Sequence, residues 1–188
     1  MEINRIKTQL GPIWFLLKFF VTYLILFLIY SAYLNYFANH FDALTCDGIT
    51  RQVALDSARI LRVLGYDATT VPNSYISSMM LQVDGRTIAN VIEGCNAVSI
   101  MILFVAFMVA FSNKLKTTVL YTILGLGILY LVNVVRIALL TIGFIEIPEY
   151  GDFLHDYMFP AVLYGVTLTL WLVWIKYYAP KPKKRSND

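Results

Sequence analysis

The sequence predicts an all-α polytopic membrane protein with about four transmembrane helices, an outer amphipathic helix and a short β-hairpin. Three observations lead to this fold class. The chain is 59% hydrophobic and only 14% charged, and its mean hydropathy of +0.65 is too high for an ordinary soluble domain. Apolar stretches long enough to cross a bilayer recur along the chain. An Asp-Gly pair between two short β-type runs indicates a hairpin.

These stretches define one membrane domain, residues 1–188. The predicted spans cover about residues 13–37, 94–112, 118–142 and 157–176, and a polar extracytoplasmic insert covers about 40–93. The net charge of +3 is small, and the basic residues cluster at the chain ends rather than in a patch suited to nucleic acid. Because the sequence contains no Gly-rich phosphate loop and no zinc-type Cys/His cluster, no cofactor, metal or nucleic-acid partner is expected.

The first apolar run carries no charged residue from Phe19 to Asn39, enough to cross a ~30 Å hydrocarbon core at ~1.5 Å per residue. Gly11-Pro12, which precedes this run, is expected to mark a break. A cleaved signal peptide is the alternative, since basic residues precede the run. The run is too long for a signal peptide and has no clear small-x-small cleavage site, so a retained helix is predicted.

The polar insert is expected to begin with a helix. Asp47 can cap a helix over about 48–64, and Gly65 can end it. Its apolar side is predicted to carry Ile49, Val53, Ile60 and Leu64, and its polar side Arg51, Arg59 and Arg62. Such a helix can lie on the membrane surface or pack against the other helices.

A β-hairpin is predicted to follow the helix. Asp84-Gly85 separates the runs 78–83 and 86–92, and both turn positions favour a positive φ. The second strand leads directly to Cys95.

The Lys/Arg bias of the short loops orients the spans. After four crossings the basic N-terminal segment, the loop with Lys114 and Lys116, and the basic tail share one side. The other short loop, 143–157, carries only acidic charges. The protein is therefore expected in a cell inner membrane, with both termini in the cytoplasm and the insert on the extracytoplasmic side. The arginines of the long insert count against this orientation only weakly.

This topology brings three residues to one side at similar depths. Cys95 begins the second span at its outer end, and His155 lies in the outer loop just before the fourth span. Arg136 lies about six residues, or ~9 Å, below the outer end of the third span. Together they supply a nucleophile, a general acid/base and a cation for a developing oxyanion. This set suits acyl transfer at a peptide bond.

Each of the three residues has an ordinary alternative. Cys95 could be an inert apolar side chain or form a disulfide with Cys46, although a thiolate is favoured at a helix N-terminus near a cation. Arg136 could form a structural ion pair with Glu93 or Asp156, but ionisable residues inside spans usually mark functional sites. The histidine, taken alone, is best interpreted as a loop residue.

Three short sequence blocks coincide with these residues. Glu93-Gly94-Cys95 opens an apolar helix, Asn133-Val134-Val135-Arg136-Ile137 lies inside the next one, and His155 precedes the last. The blocks resemble those of the exosortase/archaeosortase membrane proteins, and the short chain is most similar to the exosortase F type of Bacteroidetes. The resemblance covers roughly Val91 to Trp174. It departs at Asn96-Ala97, where many members have Ser-Gly.

The resemblance implies a cysteine protease/transpeptidase that cleaves a C-terminal sorting signal of exported proteins. That signal comprises a short motif, a transmembrane helix and a basic cluster. Cys95 is then the nucleophile that forms a thioester, Arg136 the cation that stabilises the oxyanion or thiolate, and His155 the acid/base. The implied partners are such exported proteins, the lipid bilayer and an acceptor of unknown kind.

Three neighbours are candidates for supporting roles. Asn133 lies one turn before Arg136 and can hold its guanidinium. Ser99 is four residues after Cys95 and is expected to share its helix face, although bonding between helices explains it at least as well. Glu93 could orient the histidine or the arginine, or be a solvated carboxylate.

A non-catalytic membrane assembly or scaffold protein is the main rival, with Arg136 in a structural ion pair and Cys95 oxidised to Cys46. A small transporter subunit in which Arg136 lines a path is a weaker one. The scaffold predicts a functional Cys95→Ser variant, whereas the enzyme predicts an inactive one.

Overall fold

The computed structural model describes residues 2–40, 46–112 and 114–178, and the side chains of the first helix from residue 13 onward. The described helices are α1 (Glu2–His40), α2 (Gly48–Val63), α3 (Val98–Ala110), α4 (Leu115–Glu146), α5 (Gly151–Phe153) and α6 (Phe159–Tyr177). The strands are β1 (Ala68–Pro72), β2 (Met79–Val83) and β3 (Arg86–Val91). Two 3₁₀ turns, Glu93–Cys95 and Pro148–Tyr150, and a π-helical stretch, Leu154–Met158, connect them.

Three helical segments are long and apolar enough to cross a membrane: Ile13–His40, Leu115–Glu146 and Pro148–Tyr177. The fourth apolar helix, α3, has 13 residues and reaches only ~20 Å at ~1.5 Å per residue. A mainly helical fold with long apolar helices and a small sheet is therefore confirmed. The predicted second span is a short helix that follows a 3₁₀ turn.

The break predicted at Gly11-Pro12 is wrong, because α1 is continuous through both residues. A proline removes only one backbone hydrogen bond from the ladder. The rest of this long helix retains its backbone bonds, and in an apolar environment they are costly to lose.

Both ends of α2 follow the sequence prediction. The Asp47 carboxylate accepts the backbone N–H groups of Ile49 at 2.9 Å and Thr50 at 3.1 Å. At the other end Gly65 has a φ of 96°, and the N–H groups of Gly65 and Tyr66 donate back to carbonyls of the last turn. This is the Schellman arrangement, in which glycine accepts the left-handed conformation without strain.

The predicted apolar side of α2 is only partly correct: Val53 is fully buried and Ile60 packs against the core, but Ile49 is 37% and Leu64 is 53% exposed. The buried side is formed mainly by small residues: Thr50, Val53, Ala54, Ser57, Ala58 and Leu61. It packs on α4 and the sheet, and the Ser57 hydroxyl donates to the Val134 carbonyl of α4 at 3.4 Å. Small side chains permit this close approach of two helices. The arginine side is exposed, as predicted.

The antiparallel sheet has the order β1-β2-β3. The hairpin prediction is confirmed, because Asp84 and Gly85 have φ values of 51° and 73°, as a type I′ turn requires. The strand β1 was not predicted, since Ala68–Pro72 is short, ends in proline and lacks alternation. In β3, Ile88 has no partner between the pairs Leu81–Ala89 and Gln82–Thr87, which is a β-bulge.

Of the three apolar clusters among the described residues, the two largest hold most of these elements together. One joins α2, the sheet and α4 through residues such as Leu61, Leu81 and Ala138. The other joins α3, α4 and α6 through Phe104, Met108, Leu129 and Trp174. The short apolar helix and the sheet therefore pack on opposite parts of α4, and the chain that connects β3 to α3 passes between them.

Candidate active site

A cavity of about 300 Å³ lies beside the connection from β3 to α3. Its wall includes Cys95, Arg136 and His155, together with the stretch 88–91 of β3. Three residues that are far apart in the sequence therefore line one partly open cavity. A cavity of this size accommodates several atoms of a peptide but not a folded domain.

Cys95 does not begin a membrane helix, contrary to the expectation. It is the last residue of a 3₁₀ turn, and α3 begins three residues later at Val98. Between them Ala97 has a φ of 61°, in the left-handed region. The influence of a helix dipole falls off within the first turn, so the predicted activation of the thiol by α3 is not supported. Ser99 lies on α3 and does not share a helix face with Cys95.

Asn96 explains why the helix begins late. Its Oδ1 accepts the N–H of Val98, the first residue of α3, at 2.9 Å, so it satisfies one free N–H group of the helix start from the position before the N-cap residue Ala97. Its Nδ2 donates to the Tyr30 hydroxyl of α1 at 2.7 Å and to the Thr50 hydroxyl of α2 at 2.9 Å. At only 2% exposure, Asn96 joins three elements directly beside Cys95. Sequence reasoning missed this residue, although an asparagine before an apolar helix is an N-cap signal.

Asn133 links Cys95 to Arg136. It is fully buried, its Nδ2 donates to the Cys95 carbonyl at 2.8 Å, and its Oδ1 accepts Nη1 of Arg136 at 3.3 Å. Within the described residues Arg136 forms no ion pair, and its buried Nε has no hydrogen-bond partner. An unpartnered buried donor costs about 1–3 kcal/mol, so the guanidinium retains a strong capacity to bind an oxyanion.

His155 lies in the π-helical stretch rather than in a loop, because most of the predicted outer loop 143–157 is helical. Its Nδ1 is 2.7 Å from Oδ1 of Asp156, and both side chains are largely exposed. If Nδ1–H donates to this carboxylate, Nε2 remains free to accept a proton. Asp156 thus contacts His155 and not Arg136.

Two further carboxylates lie near the site. Asp152, one turn before His155, lines the cavity and was not singled out from the sequence. Glu93 is exposed and, among the described side chains, pairs with neither His155 nor Arg136. Desolvation and the charge of Asp47 raise the pKa of Glu93. Glu93 is therefore a surface carboxylate that is partly desolvated.

Both cysteines are free, so the disulfide of the scaffold alternative is absent from this structure. Cys46 is buried, at 5% exposure. Burial, reinforced by the charge of Asp47, raises the pKa of its thiol from 9.0 to about 11.

This raised pKa of Cys46 predicts a loss of stability at alkaline pH. The folded state keeps the thiol protonated where the unfolded chain ionises, so the stabilisation is complete below the unfolded value of 9.0 and disappears as the pH rises through about 11. Between about pH 8 and pH 10.5, the wild type should lose about 2 kcal/mol more unfolding free energy than Cys46→Ala. Chemical denaturation in detergent at both pH values measures this, and equal losses would contradict it.

Nowhere in 2–40, 46–112 and 114–178 do three His, Cys, Asp or Glu side chains lie close enough together to hold a metal ion. No family model, curated protein or solved structure matches the chain. Function is therefore inferred from the residues of the cavity and from the sequence blocks that supply them.

Proposed function

We propose that the chain is a membrane-embedded cysteine protease/transpeptidase of the exosortase/archaeosortase type, acting on exported proteins with a C-terminal transmembrane sorting signal. The observation that supports it is the cavity that Cys95, Arg136 and His155 line together. A thiol, an imidazole and an unpaired guanidinium are the groups that acyl transfer through a thioester needs.

The proposed reaction has two steps. His155 Nε2 accepts the thiol proton as Cys95 Sγ attacks the substrate carbonyl, and Arg136 stabilises the resulting oxyanion. Collapse of this intermediate breaks the C–N bond, and the imidazolium protonates the leaving amine. An acceptor amine or water, deprotonated by the same imidazole, then attacks the thioester and releases the thiol. Asp156 keeps His155 in the required tautomer.

The proposed membrane arrangement has four crossings, both termini in the cytoplasm and the cavity near the outer face of a cell inner membrane. In this arrangement the short apolar helix α3, extended by the residues that flank it, makes the fourth crossing in addition to the three long apolar segments. Arg136 lies ten residues, or ~15 Å, before the end of α4 at Glu146. The cavity therefore extends from the depth of Arg136 up to Phe144 near the end of α4, where the segment preceding a substrate's own membrane helix can enter it.

The proposal is tested by replacing Cys95 with alanine in the cells that naturally carry the gene. Exported proteins that end in a transmembrane helix and a basic cluster should then keep that C-terminal segment, whereas wild-type cells remove it. Quantitative mass spectrometry of C-terminal peptides in membrane fractions measures this. Cys46→Ala is the matched control, since it removes the other thiol. Identical C-terminal peptides in Cys95→Ala and wild-type cells, with equal amounts of the chain, would reject the proposal.

A further inference from the structure

The strand β3 forms one wall of the proposed reaction cavity. Residues 88–91 of β3 and Cys95 line the same volume. β3 is an edge strand, because it pairs only with β2 in a sheet of the order β1-β2-β3. An edge strand presents unpaired backbone N–H and C=O groups, so one side of the cavity offers hydrogen bonds to a main chain.

The ladder identifies which groups of β3 are free. The N–H of Asn73 donates to the Ser78 carbonyl across the β1–β2 ladder. Backbone N–H and C=O groups alternate in direction along a strand, so those of Ser78 point towards β1 and those of Leu81 point towards β3. Leu81 pairs with Ala89. Ala89 is therefore bonded to β2, and the N–H and C=O of its neighbour Asn90 point away from the sheet. In the part of the chain that the structure describes, no hydrogen bond uses these two groups.

Two features make this edge suitable for a strand rather than for a helix or loop. The bulge at Ile88 increases the local twist of β3 and interrupts its regular hydrogen-bond pattern. A partner strand can therefore pair regularly only with the part of β3 after the bulge, which leads to Cys95. The β3 chain reaches Cys95 only four residues after Val91. A partner strand in register with Asn90 thus continues directly towards the thiol.

We propose that the segment of the substrate around its cleavage point adds to β3 as a fourth strand, bonded to the N–H and C=O of Asn90. This inference rests on the proposed function. β3 leads through the Cys95 turn into α3, and the substrate segment leads into its own membrane helix, so the two strands run parallel. Strand addition derives affinity from main-chain hydrogen bonds and selectivity from alternate side chains. The cavity therefore contacts only every second side chain of the substrate motif.

Asn90→Pro tests this pairing by removing a single backbone N–H group. Proline lacks the N–H that points away from β2 at the free edge, and the neighbouring bonds from Ala89 and Val91 to β2 remain; such positions on edge strands tolerate proline. Asn90→Ala is the matched control, because it also loses the side-chain bond from Asn73 but keeps the N–H. The probe is the exported protein that accumulates most in Cys95→Ala cells with its C-terminal segment uncleaved.

Processing of this probe should fall about tenfold or more in Asn90→Pro relative to Asn90→Ala, at equal amounts of the chain. Equal processing in the two variants would overturn strand addition while leaving the proposed function intact. If no protein accumulates in Cys95→Ala cells, the proposed function itself fails, and with it this inference.

Hydrogen exchange provides a second measurement that needs no change in β3, in case Asn90→Pro does not fold. The Cys95→Ala chain is purified with and without the accumulated probe, and deuterium uptake of a peptide covering 88–91 is compared. Slower uptake in the presence of the probe supports the added strand. Unchanged uptake with the probe bound overturns it.

Discussion

Arg136→Gln is expected to lower substrate processing by about 10²–10³-fold, the usual effect of removing an oxyanion-binding group, while leaving thermal stability unchanged or increased. The guanidinium is half-buried, and its one hydrogen bond to a described residue is the 3.3 Å bond to Asn133. A desolvated charge without an ion-pair partner contributes little to folding, and its removal relieves a desolvation cost. Activity and stability should therefore change independently.

Arg136→Lys is the matched variant, since it retains a charge but loses the planar fork. We expect it to keep more processing than Arg136→Gln and less than wild type. Processing is measured per amount of chain with the protein that accumulates in Cys95→Ala cells, and stability as the Tm in detergent. If Arg136→Gln lowers the Tm by several degrees and processing falls only in proportion, Arg136 is structural and the scaffold alternative is favoured.

Gly125→Ala is expected to destabilise the helix packing by about 1–3 kcal/mol, as overpacking of a core does. A Cβ at Gly125 would overlap the ring of Phe104, which is fully buried between α3, α4 and α6. The ring cannot move without displacing its neighbours, because interiors are close-packed. Since α3 follows the Cys95 turn, the change should also reduce the folded population that carries the site.

Gly127→Ala is the control on the same helix. Nothing lies within 4 Å of the Cβ position at Gly127, so alanine there should stabilise the helix by up to ~1 kcal/mol. The free energy of unfolding in detergent measures both changes, and Gly125→Ala combined with Phe104→Leu should recover part of the loss. A loss of the same size in both glycine variants would show that steric overlap with Phe104 is not the cause.

Short-range features of this fold could be predicted because their physics is local. Asp47 caps α2 through N–H groups two and three residues away, and Gly65 and Asp84-Gly85 adopt the positive φ that their residue types tolerate. Long apolar runs became long helices, since an apolar environment leaves the backbone few alternatives.

The residues of the candidate site could be predicted for a different reason. The predicted membrane topology restricts each segment end to one of two sides, so chain order was enough to predict that Cys95, Arg136 and His155 lie on the same side. The supporting residues were harder to predict. Ser99 was expected beside Cys95 because the start of α3 was predicted too early, and that start depends on the side chain of Asn96.

By itself the sequence determined a mainly helical fold with apolar helices long enough to cross a membrane, the caps of α2, the hairpin turn and the three chemical groups of the candidate site. Tertiary structure alone decided which residues opposite the arginine side of α2 are buried, the pairing of β1, and the bonds from Asn96 to Tyr30 and Thr50. These bonds join residues 66 and 46 positions apart. Such long-range bonds depend on which surfaces of the protein meet and on how closely they pack. The side-chain volumes and the register that decide this produce no periodic pattern in the sequence.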